Sequence, residues 1–229
     1  MTKSFVLLSG GIDSTTALAI AIERTESRDV TGIAVDYGQR HVRELVSART
    51  ICEFYDIEFV VKPLHSVIPR TMLTDERVEV PKISYADIEG VSPTYVPFRN
   101  GLLISAVTAH VHGMLTDESE TAEVYVGVHA EDAQQWAYPD CTPEFMGAMG
   151  NAVYVGTYRQ VRLCVPLQWL FKHQIVALAA SLNAPLHLTW SCYVGGAAHC
   201  GQCPTCRARR AAFKTAGIPD PTEYEGVPA

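Results

Sequence analysis

The chain has 229 residues, 48% apolar and 19% charged, which excludes a disordered polymer and allows one domain with a small appendage. Its formal net charge of -7 argues against nucleic acid or an anionic membrane as a partner drawn in by the general field. Seven cysteines, an odd number in a chain this long, exclude a secreted disulfide framework and fit a reducing, cytoplasmic setting where they are thiols or metal ligands.

The apolar run at 5–8 predicts a buried strand that stops at a Ser-Gly-Gly turn, too short for a secretory segment. No stretch approaches the ~20 apolar residues that span a bilayer, so no membrane partner is expected. A helix is predicted over 14–24, with Leu18, Ala21 and Ile22 on one face. A strand follows at 31–37, then a helix at 41–55 with Leu45, Ala48, Ile51 and Cys52 spaced for burial, then a strand at 57–61. This alternation implies right-handed crossovers and an α/β fold, a parallel twisted sheet with helices on both faces. Residues 63–97 carry five prolines and weak periodicity, the pattern of a long loop or lid. Beyond them come a helix at 100–115, a strand at 123–128 and a polar, aromatic loop at 129–140. A helix at 142–155 has Thr142 as its cap and Pro143 in its first turn. A strand at 161–165 and a helix at 171–182 complete the α/β part, and a basic helix starts near Pro204. The tail from Gly217, rich in Pro, Gly and Glu, is expected to lie loosely on the surface.

Residues 8–16 read LSGGIDSTT, between a predicted strand and a predicted helix. In an open parallel sheet, ligands collect at the carboxyl ends of the strands. After Leu8, the pair Gly10-Gly11 lets the backbone approach a ligand closely, and the helix N-terminus adds an anion cradle. Ser9, Ser14, Thr15 and Thr16 supply hydroxyls, and Asp13 is a carboxylate that makes sense beside phosphates if it acts through Mg²⁺. The Gly-Lys-Ser/Thr end of a Walker loop is absent. The string closely resembles the SGGxDS loop of the PP-loop ATP pyrophosphatases, a resemblance that implies ATP as cosubstrate, cleaved between its α and β phosphates.

Residues 190–206 read WSCYVGGAAHCGQCPTC. Cys200, Cys203 and Cys206 form a doubled Cys-x-x-Cys, with Cys192 upstream across Gly195-Gly196. Four soft ligands suit a closed, structural Zn²⁺ site, though an iron–sulfur cluster uses the same ligands. This divides the chain into a nucleotide-binding α/β domain at 1–185 and a metal-binding region at 186–229. Arg207, Arg209 and Arg210 follow the cluster and are expected to offset thiolate charge, with His199 nearby or on the surface.

Further strings are DYGQRH at 36–41, YVPFRN at 95–100, YPDC at 138–141 and WSCY at 190–193. With the loop and the cysteines, they resemble the 7-cyano-7-deazaguanine synthase family over nearly the whole chain. The resemblance implies 7-carboxy-7-deazaguanine, ammonia and ATP as substrates. Adenylation of the carboxylate, attack by ammonia, a second adenylation of the amide oxygen and elimination would give the nitrile. On that reading Asp13, Arg99 and Lys172 carry the catalysis, with Arg40 as a further cation against charge developing on phosphorus. Asp132, Asp140 and Glu144 are the candidate readers of the base, whose N–H groups call for carboxylates. Tyr37, Phe98, Tyr138 and Trp190 are candidates to stack on its face. Cys52 and Cys164 fall on apolar patterns and are expected in the core, while Cys141 is unassigned.

The competing readings are a PP-loop enzyme that modifies tRNA or forms an amide on another substrate, a glutamine-dependent amidotransferase, and a non-enzymatic zinc-ribbon module. The acidic charge opposes the RNA enzyme, 229 residues leave no room for a fused glutaminase domain, and the intact loop opposes the bare module. The leaving nucleotide, AMP with pyrophosphate or ADP with phosphate, stays open. A homodimer is the default assembly for such an enzyme.

Overall fold

The computed structural model describes residues 2–26, 29–39, 42–64, 67–68, 71–75, 77–82 and 91–226. Strands β1 (Thr2–Leu7), β2 (Val30–Asp36), β3 (Glu58–Pro63), β4 (Thr121–Tyr125) and β5 (Val161–Cys164) form one sheet in the order β3-β2-β1-β4-β5. Every pairing is parallel, with Val6 of β1 opposite Gly32 of β2 and Tyr125 of β4. This is the α/β sheet expected from the alternation of strands and helices.

The helices are α1 (Ile12–Arg24), α2 (Val42–Phe54), α3 (Arg99–Met114), α4 (Ala130–Ala133), α5 (Pro143–Gly156), α6 (Lys172–Ser181) and α7 (Pro204–Ala216). Side chains alternate across a strand, so β1 serves two cores. Val6 packs with α1, α2, α6 and α7 on one face, while Phe5 packs with α3 and α5 on the other. Gly32 marks a close approach, since a Cβ there would lie 2.5 Å from the Cys52 sulfur of α2. Cys52 is fully buried and Cys164 partly so, as their apolar settings predict. Among the described residues, no helix is long and apolar enough to cross a membrane.

Most predicted elements lie within a few residues of their observed bounds. The Thr142 hydroxyl accepts from the Phe145 N–H at 3.2 Å and caps α5, with Pro143 in its first turn. The stretch read as a loop at 129–140 instead holds α4 and two single turns of tighter helix, Gln134–Trp136 and Pro139–Cys141. The described residues of 63–97 contain no helix and no strand beyond the end of β3. Leu73, Ser92, Thr94 and Val96 of that segment are nonetheless buried.

The tail is not loose. The Tyr224 hydroxyl donates to Asp220 at 2.7 Å, and Glu225 N donates to His199 O at 2.8 Å. Asp220 faces the buried Arg209 guanidinium at 3.5 Å. A buried cation drew the tail down, something that composition alone does not encode.

Candidate active site

The order of the strands reverses direction between β1 and β4, and the crevice outside their carboxyl ends is where a doubly wound sheet binds ligands. Gly127, just past β4, touches the loop after β1, and a Cβ there would meet Asp13 C and Ser14 N at 2.7 Å. Two cavities open at this point. The first, about 220 Å³, is lined by Leu8, Ser9, Ser14, Tyr37, Glu44 and Arg99, among others. The second, about 590 Å³, is lined by Gly11, His129, Tyr138, Lys172, Trp190 and the small residues of α7. Ser9, Asp13, Glu44, Asp132 and Tyr193 line both.

The loop is held from three sides. Gly10 has φ +77°, a left-handed conformation that suits glycine. Its carbonyl accepts from the Ser47 hydroxyl of α2 at 3.1 Å and from Trp190 N at 2.8 Å. Ser9 and Ser14 are bonded to each other, hydroxyl to hydroxyl at 3.1 Å. Thr16 is different, because its hydroxyl donates to Ile12 O at 2.7 Å inside α1, and Thr15 is fully buried. Neither threonine faces either cavity, since the helical turn points them into the core.

Asp13 sits in α1's first turn and is salt-bridged to the Lys172 ammonium at the start of α6. The His129 Nε2 atom is 3.9 Å from the same carboxylate oxygen and 3.3 Å from Asp132. Burial alone would raise the Asp13 pKa, but Lys172 and then His129 bring it below the ordinary value, so it is a carboxylate at neutral pH. Its second oxygen, Oδ1, is buried without a hydrogen-bond partner among the described residues. An orphaned carboxylate oxygen beside the loop is the donor a divalent cation takes.

In the first cavity, Arg99 donates to the Tyr37 hydroxyl at 3.4 Å. Burial opposes the guanidinium's charge, yet Tyr37 and Tyr193 hold its pKa above the ordinary value. Glu44, in the first turn of α2, is pushed up to about 7 by burial, against the pull of Arg99. Neither Glu44 nor His129 stands out in the sequence. The signal available for both is position alone, each lying shortly after a predicted parallel strand.

Three predicted base-side residues lie outside both cavities. Asp140 is buried and accepts from Asn100 N at 2.9 Å, so it satisfies a free N–H at the start of α3. Phe98 is half exposed at φ +55°, and its ring covers Gly101 and meets Phe145 edge-on at 5.5 Å. Glu144 is exposed on α5. Asp132 and Tyr138 do line the second cavity, and the Tyr138 ring is fixed by Ser92, whose hydroxyl donates to its oxygen at 2.9 Å. Trp190 is both core and wall, 9% exposed, with Arg43 over its ring at 4.8 Å and His199 against it at 4.2 Å. Arg40 lies outside the described residues. Cys141 is buried, and burial raises its thiol far above the usual range, which removes it as a nucleophile.

The sulfur atoms of Cys192, Cys200, Cys203 and Cys206 lie within 4.8 Å of one another, close enough to share one metal ion. Backbone N–H groups of Val194 and Cys200 donate to the Cys192 sulfur at 3.4 Å, as thiolate ligands require. The following arginines do not point at this cluster. Arg209 is 1% exposed and donates to Thr189, Ser191 and Leu186, tying α7 to the strand of chain that carries Trp190. Arg207 donates to Gln202 O at 2.8 Å and Arg210 lies over Tyr224. His199 is buried and accepts from Ser191 N at 3.1 Å.

The family model described as queuosine biosynthesis protein QueC matches residues 3–217. A 7-cyano-7-deazaguanine synthase of Thermoplasma volcanium is 41% identical over 232 residues, covering 99% of this chain and 92% of that protein. The enzyme of the same name from Thermoplasma acidophilum is 39% identical, covering 99% of this chain and 93% of its own. That from Nautilia profundicola is also 39% identical, over 98% of this chain and 99% of its own. The chain belongs to the queuosine biosynthesis protein QueC family.

Proposed function

We propose that this chain converts 7-carboxy-7-deazaguanine, ammonia and ATP into 7-cyano-7-deazaguanine. The observation that carries the reading is the junction of the two cavities at the Ser9–Ser14 loop, where Asp13 and Lys172 meet. The nucleotide and the base divide the two cavities between them, with the phosphates at the loop where the cavities meet. A carboxylate does not lose oxygen to an amine unaided. Adenylation makes that oxygen part of a good leaving group, ammonia displaces it to give the amide, and a second adenylation and elimination give the nitrile. One phosphate site serves both rounds.

On this reading Ser9, Ser14 and the loop amides receive the phosphates, and Lys172 and Arg99 offset charge that develops on phosphorus. Asp13, through its free Oδ1, would hold Mg²⁺, which supplies charge neutralisation on the phosphates when bound. Asp132 reads an N–H edge of the base, and Tyr138 and Trp190 supply aromatic walls. Cys192, Cys200, Cys203 and Cys206 would hold Zn²⁺, which contributes folding free energy to the 186–229 region rather than chemistry.

The test is mass spectrometry of products after incubation with ATP, Mg²⁺, ammonium and the 7-carboxy base, with phosphorus NMR of the released nucleotide. The expected outcome is the nitrile with its amide precursor, and none from Asp13→Ala at unchanged circular dichroism. Thiolated tRNA as the product, with the 7-carboxy base untouched, would sink the reading.

A further inference from the structure

Four carboxylates line the two cavities among the described residues: Asp13, Glu44, Glu131 and Asp132. Three are engaged. Asp13 is paired with Lys172, Asp132 with His129, and Glu131 accepts from Lys172 N at 3.0 Å. Glu44 makes no hydrogen bond or ion pair through its side chain to any described residue, although it lines both cavities. Its backbone is fixed against the loop, since the Glu44 carbonyl lies 2.6 Å from where a Cβ on Gly10 would be. The titratable groups that line the first cavity with it include Arg99 of α3, Tyr37 after β2 and Tyr193, and the second adds His129, Lys172 and His173. Arg99 is the cation that acts on Glu44, and it is already bonded to the Tyr37 hydroxyl.

Building on the reaction read above, we propose that Glu44 is the base that takes a proton from ammonium at the adenylated carboxylate. Ammonium is the dominant form of ammonia at neutral pH, and it has no lone pair with which to attack. The Glu44 carboxylate accepts one proton, so an N–H bond breaks and its electrons become the nitrogen lone pair. That pair forms the C–N bond at the activated carbon, and the carbonyl π electrons move to oxygen. When they return, the C–O bond to the nucleotide phosphate breaks and the phosphate leaves with that pair. The nitrogen sheds a second proton to solvent, and the neutral amide remains. Glu44 then releases its own proton to water before the next turnover. A partly buried carboxyl raised to about 7 is matched to this task, being both ionised often enough and basic enough.

Hydroxylamine separates this role from a merely structural one, because it is mainly unprotonated at pH 7 and needs no base to free its lone pair. Wild type and Glu44→Gln are compared at saturating ATP and 7-carboxy base, with ammonium or hydroxylamine varied and the amide or hydroxamate measured. Exchange of pyrophosphate into ATP, without any amine, reports adenylation separately. The expected result is a loss of about 100-fold in kcat/KM with ammonium. Exchange and hydroxamate formation stay near wild type, and the ammonium defect shrinks as pH is raised. An equal loss with both nucleophiles, an unaffected ammonium reaction, or loss of exchange each overturns the proposal. The wild-type arm stands apart: if it forms no amide from the 7-carboxy base, the substrate reading fails and this inference falls with it.

Discussion

Gly10 and Gly11 look equivalent in the string SGG, yet substitution is expected to separate them. Gly10 is at φ +77°, where a side chain costs about 1–2 kcal/mol. A Cβ there would also lie 2.6 Å from Glu44 O, 2.8 Å from Ala48 N and 2.9 Å from Ser47 Cβ. Two of these are backbone atoms of α2, which cannot swing aside, and overpacking of that kind costs about 1–3 kcal/mol. The sum for Gly10→Ala is therefore about 2–5 kcal/mol. At about 2–4 °C per kcal/mol for a domain of this size, Tm falls by about 4–20 °C. Gly11 has ordinary extended geometry at φ -81°, and its added Cβ would find only Ser9 Oγ at 3.5 Å and Trp190 O at 3.6 Å. Gly11→Ala is expected to stay within about 1 kcal/mol of wild type while placing a methyl group on the wall of the second cavity. Scanning calorimetry and titration with a non-hydrolysable ATP analogue read the two effects. Gly10→Ala should lose stability, and Gly11→Ala should lose nucleotide affinity alone. Wild-type Tm and affinity in Gly10→Ala, or a less stable Gly11→Ala, would refute the division.

Lys172→Met removes the largest influence that holds the Asp13 carboxyl down, and leaves burial, the largest influence of all and a raising one, against the weaker pulls of His129 and the backbone. In wild type the depressed value adds stability above the unfolded pKa, lost only as pH falls through the folded one. In the variant the sign inverts: the folded state holds its proton more tightly, so stability is poorest at high pH and recovers on acidification. Urea midpoints at about pH 8 and about pH 5 check this, and an equal deficit at both would count against it. Cys203→Ser removes one of four sulfur ligands and is expected to lower bound metal and Tm together. Elemental analysis reads both the amount and the identity of the metal, and unchanged content would dismiss the ligand set.

Much of this protein is written locally. Each of the five parallel strands is announced by a short apolar run, and α5 by Thr142-Pro143, because these depend on neighbours only a few residues away. The SGGIDS loop and the four cysteines are legible for the same reason, since their chemistry lies in spacing along one stretch of chain. The strings that hold Phe98, Asp140 and Glu144 do not say which way these side chains face. Asp140 turns to the start of α3, and Phe98 covers Gly101, because packing decides which way a loop side chain faces. Glu44, His129 and the hold of Trp190 on Gly10 are invisible in the sequence. They arise because α2, the end of β4 and the chain before the cysteine cluster converge on one crevice. Spacing encodes what neighbours do to one another. Which strand ends meet depends on register and crossover hand, and those are properties of the folded chain as a whole.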